Sequence, residues 1–157
     1  MTQQQKIFLA ALGSAALLLG AFGFQYIGGL APCKLCLWQR WPHAAAILIG
    51  AVALLTQRGQ LAFLGAAAAL TTGGIGVYHT GVERGWWEGP TSCTGDASSL
   101  SGMTGGDLLD FSAPETIIMC DEVVWEMLGL SMASWNAVAA FGLAALWIWA
   151  AITPEKH

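Results

Sequence analysis

Four long stretches of the 157-residue chain carry no charged residue, and polar connections separate them. The uncharged runs cover residues 7–32, 41–57, 59–82 and 127–154. A helix needs about 20 mostly apolar residues to cross a bilayer, and lipid offers no partner for unpaired backbone groups. The second run is short, but its helix can begin earlier, near Leu35. The pattern therefore predicts membrane spans over residues 7–28, 35–56, 60–80 and 133–152.

The four spans predict an all-α fold, a single membrane-embedded four-helix bundle with both termini on one side. Loops 29–34 and 81–132 then lie on the other side. The basic residues divide evenly between the two sides: Lys6, Arg58 and Lys156 with the termini, and Lys34, Arg40 and Arg84 with the loops. Because Arg40 falls inside a helix start and acidic residues surround Arg84, the positive-inside rule slightly favours cytoplasmic termini.

Composition supports a membrane protein and argues against a nucleic-acid partner. Hydrophobic residues make up 55% of the chain and charged residues only 10%, against about 25% charged in an average soluble domain. The net charge is −4, and nine of the ten acidic residues lie between Glu83 and Glu126. No basic surface is present that would track phosphates.

The end of the second loop has near-helical spacing of its apolar residues. These residues are Ile117, Ile118, Val124, Trp125 and Leu128. Acidic residues are interspersed among them, which predicts a short amphipathic helix over residues 114–128 that lies in the membrane interface. Ordinary loop packing is the alternative.

Tryptophans mark both predicted membrane faces. Six of the eight lie near the loop side: Trp38, Trp41, Trp86, Trp87, Trp125 and Trp135. Trp147 and Trp149 mark the other end of the last span. An aromatic belt is the simplest interpretation, and one or two of the rings near the loops could line a ligand pocket.

The four cysteines form a close pair and a distant pair, and both pairs lie in the predicted loops or, for Cys36, at the start of the span that follows. Two residues separate Cys33 from Cys36, and 26 separate Cys93 from Cys120. Disulfides persist in oxidising compartments such as the bacterial periplasm. The pairs could form a redox relay or inert structural bridges. A zinc site would need two further ligands, and the sequence has no second C-x-x-C and no H-x-x-x-H.

The close pair has the surroundings of a reactive thiol. Pro32 fits the first turn of a helix, which would place Cys33 and Cys36 one turn apart at a helix N-terminus that favours a thiolate. Arg40 follows four residues after Cys36, on the same face, and its charge would lower a thiol pKa further. An arginine inside a membrane helix is a candidate functional residue that could donate to a quinone oxygen, or it could extend to the headgroups.

Two histidines lie on the predicted spans. His79 sits at the loop end of the third span, where it could donate to a bound carbonyl group, although an isolated interfacial histidine can also be merely solvated. His43 lies seven residues after Cys36, roughly on the Arg40 face, and we expect it to pack.

Taken together, these motifs resemble the disulfide bond formation protein B (DsbB) family of bacterial inner-membrane quinone reductases, which reoxidise the periplasmic dithiol oxidase DsbA. The likeness covers nearly the whole chain. Its matching pieces are Pro32-Cys33-Lys34-Leu35-Cys36 with Arg40, Tyr78-His79-Thr80, the isolated Cys93, and Cys120 followed by residues 125–132 and Trp135.

The resemblance implies a role for each cysteine. Cys93 would form the mixed disulfide with a DsbA-like periplasmic thiol oxidase. Cys120 would be its disulfide mate and would then engage Cys33. Cys36 would be the thiolate that faces a membrane quinone, either ubiquinone or menaquinone.

The resemblance also assigns Arg40 and His79 to the quinone site. A member of that family carries an acid where this chain has Gln39, which suggests a lost counter-ion and a more positive local field. We expect a monomer in the bacterial inner membrane, with both cysteine pairs facing the periplasm.

Two other functions fit part of the pattern. A vitamin K epoxide reductase-like enzyme is also a quinone-linked thiol protein, but its close pair usually lies late in the chain. A structural membrane protein with stapling disulfides would explain the cysteines, but neither Arg40 nor His79.

Overall fold

The computed structural model describes residues 1–90 and 119–154, and these ranges are mostly helical. The long helices are α1 (Gln3–Tyr26), α2 (Lys34–Thr56), α3 (Ala62–Glu83) and α4 (Met132–Ala151). A short 3₁₀ helix, Gly59–Leu61, precedes α3. Each long helix overlaps one of the predicted spans.

Three segments within the described ranges are long and apolar enough to cross a membrane: Gln3–Tyr26, Gly59–Glu83 and Met132–Ala151. The remaining long helix, α2, has 23 residues, but its first half carries polar residues. Three of these, Gln39, Arg40 and His43, are buried or half-buried. The polar half of α2 is therefore directed into the protein, where it builds the candidate site.

The helices pack in a ring in which α1 and α3 each contact both α2 and α4. Small residues allow this close approach, and one large ring fills the centre. Trp147 is fully buried in the core cluster, and a Cβ at Gly65 would lie 2.6 Å from its ring. The assignment of Trp147 to an aromatic belt was therefore wrong, because its ring faces helix α3 and not the lipid.

The predicted interfacial helix is wrong over the part of it that the structure describes. Residues 119–125 form a turn and irregular backbone, and strands β1 (Glu126–Met127) and β2 (Leu130–Ser131) form an antiparallel hairpin. Leu128 and Gly129 have φ of 56° and 77°, and two successive positive φ values suit a tight hairpin turn. Residues 114–118 lie outside the described residues.

Candidate redox site

The close cysteine pair sits at the start of α2. Cys33 is the N-cap residue, and its Sγ accepts a hydrogen bond from the Cys36 backbone N–H at 3.3 Å. The two Sγ atoms are 3.0 Å apart, and both cysteines are free. Pro32 thus lies one residue before the cap and not in the first turn. The two thiols are therefore close enough to form a disulfide after a small movement.

Cys33 is the sulfur that favours the thiolate form. The hydrogen bond from the Cys36 side chain holds the pKa of the Cys33 thiol well below its ordinary value, and the hydrogen bond from His79 acts in the same direction. Burial opposes both effects. Cys33 Sγ also accepts the Cys36 backbone N–H, so Cys33 is the sulfur on which a negative charge is better stabilised.

His79 on α3 reaches Cys33 across the interface between α2 and α3. Its Nε2 lies 3.5 Å from Cys33 Sγ, and its Nδ1 lies 2.9 Å from Gln39 Nε2. Gln39 Nε2 also donates to the Leu35 carbonyl oxygen at 3.3 Å, and this contact identifies it as the amide nitrogen, because a carbonyl can only accept. Nδ1 of His79 must then accept, so the neutral ring carries its proton on Nε2, facing Cys33.

Glu83 is a residue of this site that the sequence analysis missed. It lies one turn beyond His79 on α3, and its Oε1 is 3.8 Å from His79 Nε2. Its other oxygen accepts a short hydrogen bond from the Ser131 hydroxyl, and the Glu83 side chain is only 6% exposed. The i, i+4 spacing of His79 and Glu83 was the available signal. Although Gln39 stands where an acid was expected, the site still contains an acidic residue, Glu83.

A cavity of about 360 Å³ opens beside Cys36, between α1, the first half of α2 and the start of α4. Its wall is mostly apolar, and its polar lining residues are Gln39, Arg40, His43 and Asn136. Ligand pockets for small molecules are typically about 300–1,000 Å³ and apolar, with a few polar groups. A quinone ring fits this description. Two buried polar atoms of the lining residues, Arg40 Nε and His43 Nδ1, have no hydrogen-bond partner among the described residues.

Arg40 is bound to α1. Its guanidinium donates to Gln25 Oε1 at 2.6 Å and to the Ala21 carbonyl oxygen at 3.3 Å, and it lies 4.9 Å from the Phe22 ring centroid. These contacts turn it away from the cysteines, so it does not contribute to the low pKa of Cys33. They also hold its head group inside the protein at the wall of the cavity.

The predicted site residues therefore separate into two places. Cys36 and Arg40 line the cavity, whereas Cys33 and His79 contact each other and are not among its lining residues. A role for His79 in quinone binding stays a prediction, and its observed contact is with Cys33. The expectation that one or two tryptophans line a pocket is met by Trp125 and Trp135.

The distant cysteine pair is described for one member only. Cys120 is fully buried and disulfide-bonded, and it packs in the same buried cluster as Cys33, Leu35 and Val82. Cys93 lies outside the described residues. Cys120 and Cys33 thus lie in one cluster although 86 residues separate them in the chain.

The close pair and His79 also form a possible set of metal ligands. The two Sγ atoms and a His79 ring nitrogen all lie within 4.8 Å of one another. The C-x-x-C motif shows only two candidate ligands in the sequence, because the third comes from a different helix. Three N and S donors suit zinc chemically.

Comparison with known proteins gives a consistent family assignment. The family model described as disulfide bond formation protein DsbB matches residues 3–150. The chain is 32% identical to disulfide bond formation protein B 2 of Pseudomonas aeruginosa, over 83% of this chain and 81% of that protein.

Two further relatives cover more of the chain. Disulfide bond formation protein B of Xanthomonas oryzae pv. oryzae is 34% identical, over 90% of this chain and 86% of that protein. The protein of the same description from Hahella chejuensis is 31% identical, over 96% and 94%. No solved structure matches the chain significantly.

Proposed function

The chain belongs to the disulfide bond formation protein B family, and we propose that it reoxidises a DsbA-like periplasmic thiol oxidase and passes the electrons to a membrane quinone. In the balanced reaction, one partner dithiol becomes a disulfide while one quinone takes up two electrons and two protons. The single observation that carries the proposal is the free Cys33–Cys36 pair, with His79 on one sulfur and an apolar cavity beside the other.

The proposed arrangement is one membrane domain, a four-helix bundle with cytoplasmic termini and both cysteine pairs on the periplasmic side, acting as a monomer. Three helices could cross a membrane by length and composition, and α2, with 23 residues, is long enough to be the fourth span that this arrangement needs. The polar half of α2, which holds the close pair, begins at the same end of the bundle as the hairpin that follows Cys120. Both pairs would then reach a soluble periplasmic partner.

The first proposed step is thiol–disulfide exchange at the distant pair. A partner thiolate attacks Cys93 of the Cys93–Cys120 disulfide, which releases Cys120 as a thiolate. The second partner thiol then displaces Cys93, so the partner leaves oxidised. The acidic segment around this pair suits a partner with a mildly positive or apolar groove.

The second proposed step moves the electrons to the close pair. The Cys120 thiolate attacks Cys33 of the Cys33–Cys36 disulfide and displaces Cys36 as a thiolate. The burial of Cys120 and Cys33 in one cluster supports this order. When Cys93 is regenerated as a thiolate, it attacks Cys120, restores the distant disulfide and leaves Cys33 and Cys36 reduced.

The third proposed step returns the close pair to the disulfide. When bound in the cavity, ubiquinone or menaquinone supplies a two-electron, two-proton acceptor. Cys36 lines that cavity and Cys33 does not, so Cys36 is the sulfur we expect to face the acceptor. Arg40, held rigidly by Gln25 and Ala21, offers its Nε–H to a ring oxygen. His79 donates to the Cys33 thiolate and steadies it until the sulfurs join.

The test uses purified chain in detergent with decyl-ubiquinone and a reduced DsbA-like dithiol oxidase. We expect quinone reduction with turnover, at one quinone per partner disulfide formed. The Cys36→Ser variant should abolish quinone reduction but still form the mixed disulfide through Cys93. Absence of turnover in the unaltered chain, with the partner remaining reduced, would disprove the proposal.

A further inference from the structure

His43 lines the cavity, and one of its ring nitrogens has no hydrogen-bond partner among the described residues. This side chain is only 3% exposed and lines the cavity. Its Nε2 lies 3.0 Å from Asn136 Oδ1, but its Nδ1 is buried without a partner among the described residues. The sequence suggested only a packing role for His43, and packing does not explain an imidazole in an apolar wall.

The hydrogen bonds behind His43 fix the position of its proton. Gln39 presents its Nε2 to the Leu35 carbonyl, so its Oε1 must accept, and Asn136 Nδ2 lies 2.7 Å from it. The Thr72 hydroxyl donates to the Gln39 carbonyl at 2.9 Å, so the Thr72 oxygen can accept from the same Asn136 Nδ2 at 3.3 Å.

Both contacts identify the Asn136 amide nitrogen, and its Oδ1 is therefore the atom that faces His43. An amide oxygen can only accept, so Nε2 of His43 donates to it. The neutral ring has one proton, which is on Nε2, and Nδ1 is a bare acceptor. The hydrogen-bond network ends at the main-chain carbonyls of Leu35 and Gln39, which can only accept. The side-chain amides of Gln39 and Asn136 therefore cannot be flipped without losing these bonds.

The ring that carries this bare acceptor lines the cavity, so a ligand that brings a donor to the ring would satisfy it. A quinone has carbonyl oxygens, which can only accept, whereas its reduced form has two hydroxyl groups, which can donate. We propose that His43 Nδ1 accepts a hydrogen bond from a hydroxyl of the reduced quinone, so that this residue favours the hydroquinone over the quinone in the cavity. The inference rests on the proposed function, because that function places a quinone there.

The test compares the quinol with an ether in which methyl groups replace the two hydroxyl hydrogens, so that the ring is kept and the donors are lost. The full chain, with its cysteines reduced, is titrated anaerobically with decyl-ubiquinol and with its dimethyl ether, and binding is followed by tryptophan fluorescence because Trp125 and Trp135 line the cavity. Protein and ligands are all fully reduced, so no electrons move. A neutral hydrogen bond is typically worth enough to change a dissociation constant roughly three- to tenfold.

We expect His43→Leu to raise the Kd of the quinol roughly three- to tenfold and to leave the Kd of the ether within about twofold. Leu17→Ala, which alters the apolar wall of the same cavity, is the matched control and should weaken both ligands by the same factor. Equal weakening of both ligands by His43→Leu would overturn the inference, because it would mean that the ring only shapes the cavity or acts as a donor.

A second measurement needs no variant and so does not depend on folding. In ¹⁵N NMR spectra of the unaltered chain, the His43 Nδ1 signal should start in the range of a bare imidazole nitrogen and shift on addition of the quinol but not of the ether. An unshifted signal at saturating quinol overturns the inference. Quinone reduction with turnover but no shift of the His43 Nδ1 signal would overturn this inference and leave the proposed function intact. A shift of that signal on quinol binding, without turnover, would overturn only the proposed function.

Discussion

The contact between His79 and Cys33 makes the most informative single prediction. His79→Phe keeps a planar ring of similar size but removes the Nε2–H that lies 3.5 Å from Cys33 Sγ. A hydrogen bond to a charged group is worth about 1.5–3 kcal/mol, and one pKa unit corresponds to about 1.4 kcal/mol. Because both groups are buried, we expect the Cys33 pKa to rise by about one to two units.

The assay is the pH dependence of alkylation by iodoacetamide in the reduced chain, resolved for each cysteine by mass spectrometry. Thiolate reacts and thiol does not, so the midpoint for Cys33 reports its pKa. Arg40→Met is the control: its guanidinium is bound to Gln25 and Ala21, and the Cys33 midpoint should not change. A His79→Phe midpoint equal to that of the unaltered chain, or a shift as large in Arg40→Met, would refute the reasoning.

The same shift has a consequence for stability. Because the Cys33 pKa is depressed in the folded chain, the thiolate stabilises the fold at pH above the unfolded pKa, and this contribution is lost as pH falls through the folded pKa. His79→Phe should move that loss to higher pH. The midpoint of denaturation of the reduced chain, measured against pH, checks the direction.

Three further predictions follow from individual contacts. Glu83→Gln keeps an acceptor for Ser131 but removes a negative charge that acts on Cys33. The pH midpoint of Cys33 alkylation should therefore fall, opposite to the effect of His79→Phe, and a rise would contradict an ionised Glu83. Gly65→Ala would place a Cβ 2.6 Å from the Trp147 ring, and we expect the free energy of unfolding to fall by about 1–3 kcal/mol. The control Gly74→Ala adds its Cβ in open space and should cost far less, so equal losses would disprove the close packing. Treatment with a zinc chelator should leave quinone reduction unchanged, and loss of activity that zinc restores would mean that Cys33, Cys36 and His79 hold a metal.

The local parts of the site could be predicted from the sequence, because their geometry depends on spacing within one helix. The C-x-x-C spacing and Pro32 were enough to place Cys33 and Cys36 at the start of a helix. His79 was visible as a polar residue near the end of an apolar run. Glu83 was visible in principle, one turn further along.

The missed parts depend on tertiary packing. Asn136 is separated from Gln39 by 97 positions and from His43 by 93, and no periodicity within one helix shows that they meet. Arg40 lies on the predicted helix, but its partners on α1 decide where its charge points. The hairpin replaced the predicted helix because Leu128 and Gly129 both adopt positive φ, which a helix excludes.

The central claim is that electrons pass from the distant pair to the close pair through Cys120 and Cys33. It is tested most directly by mixing the oxidised chain with reduced DsbA-like partner, withholding quinone, quenching with acid and mapping disulfide-linked peptides. The account predicts a Cys33–Cys120 disulfide that appears after the Cys93–partner disulfide and disappears when decyl-ubiquinone is added. Only Cys33–Cys36 and Cys93–Cys120 linkages at all times, with the partner nevertheless oxidised, would contradict it.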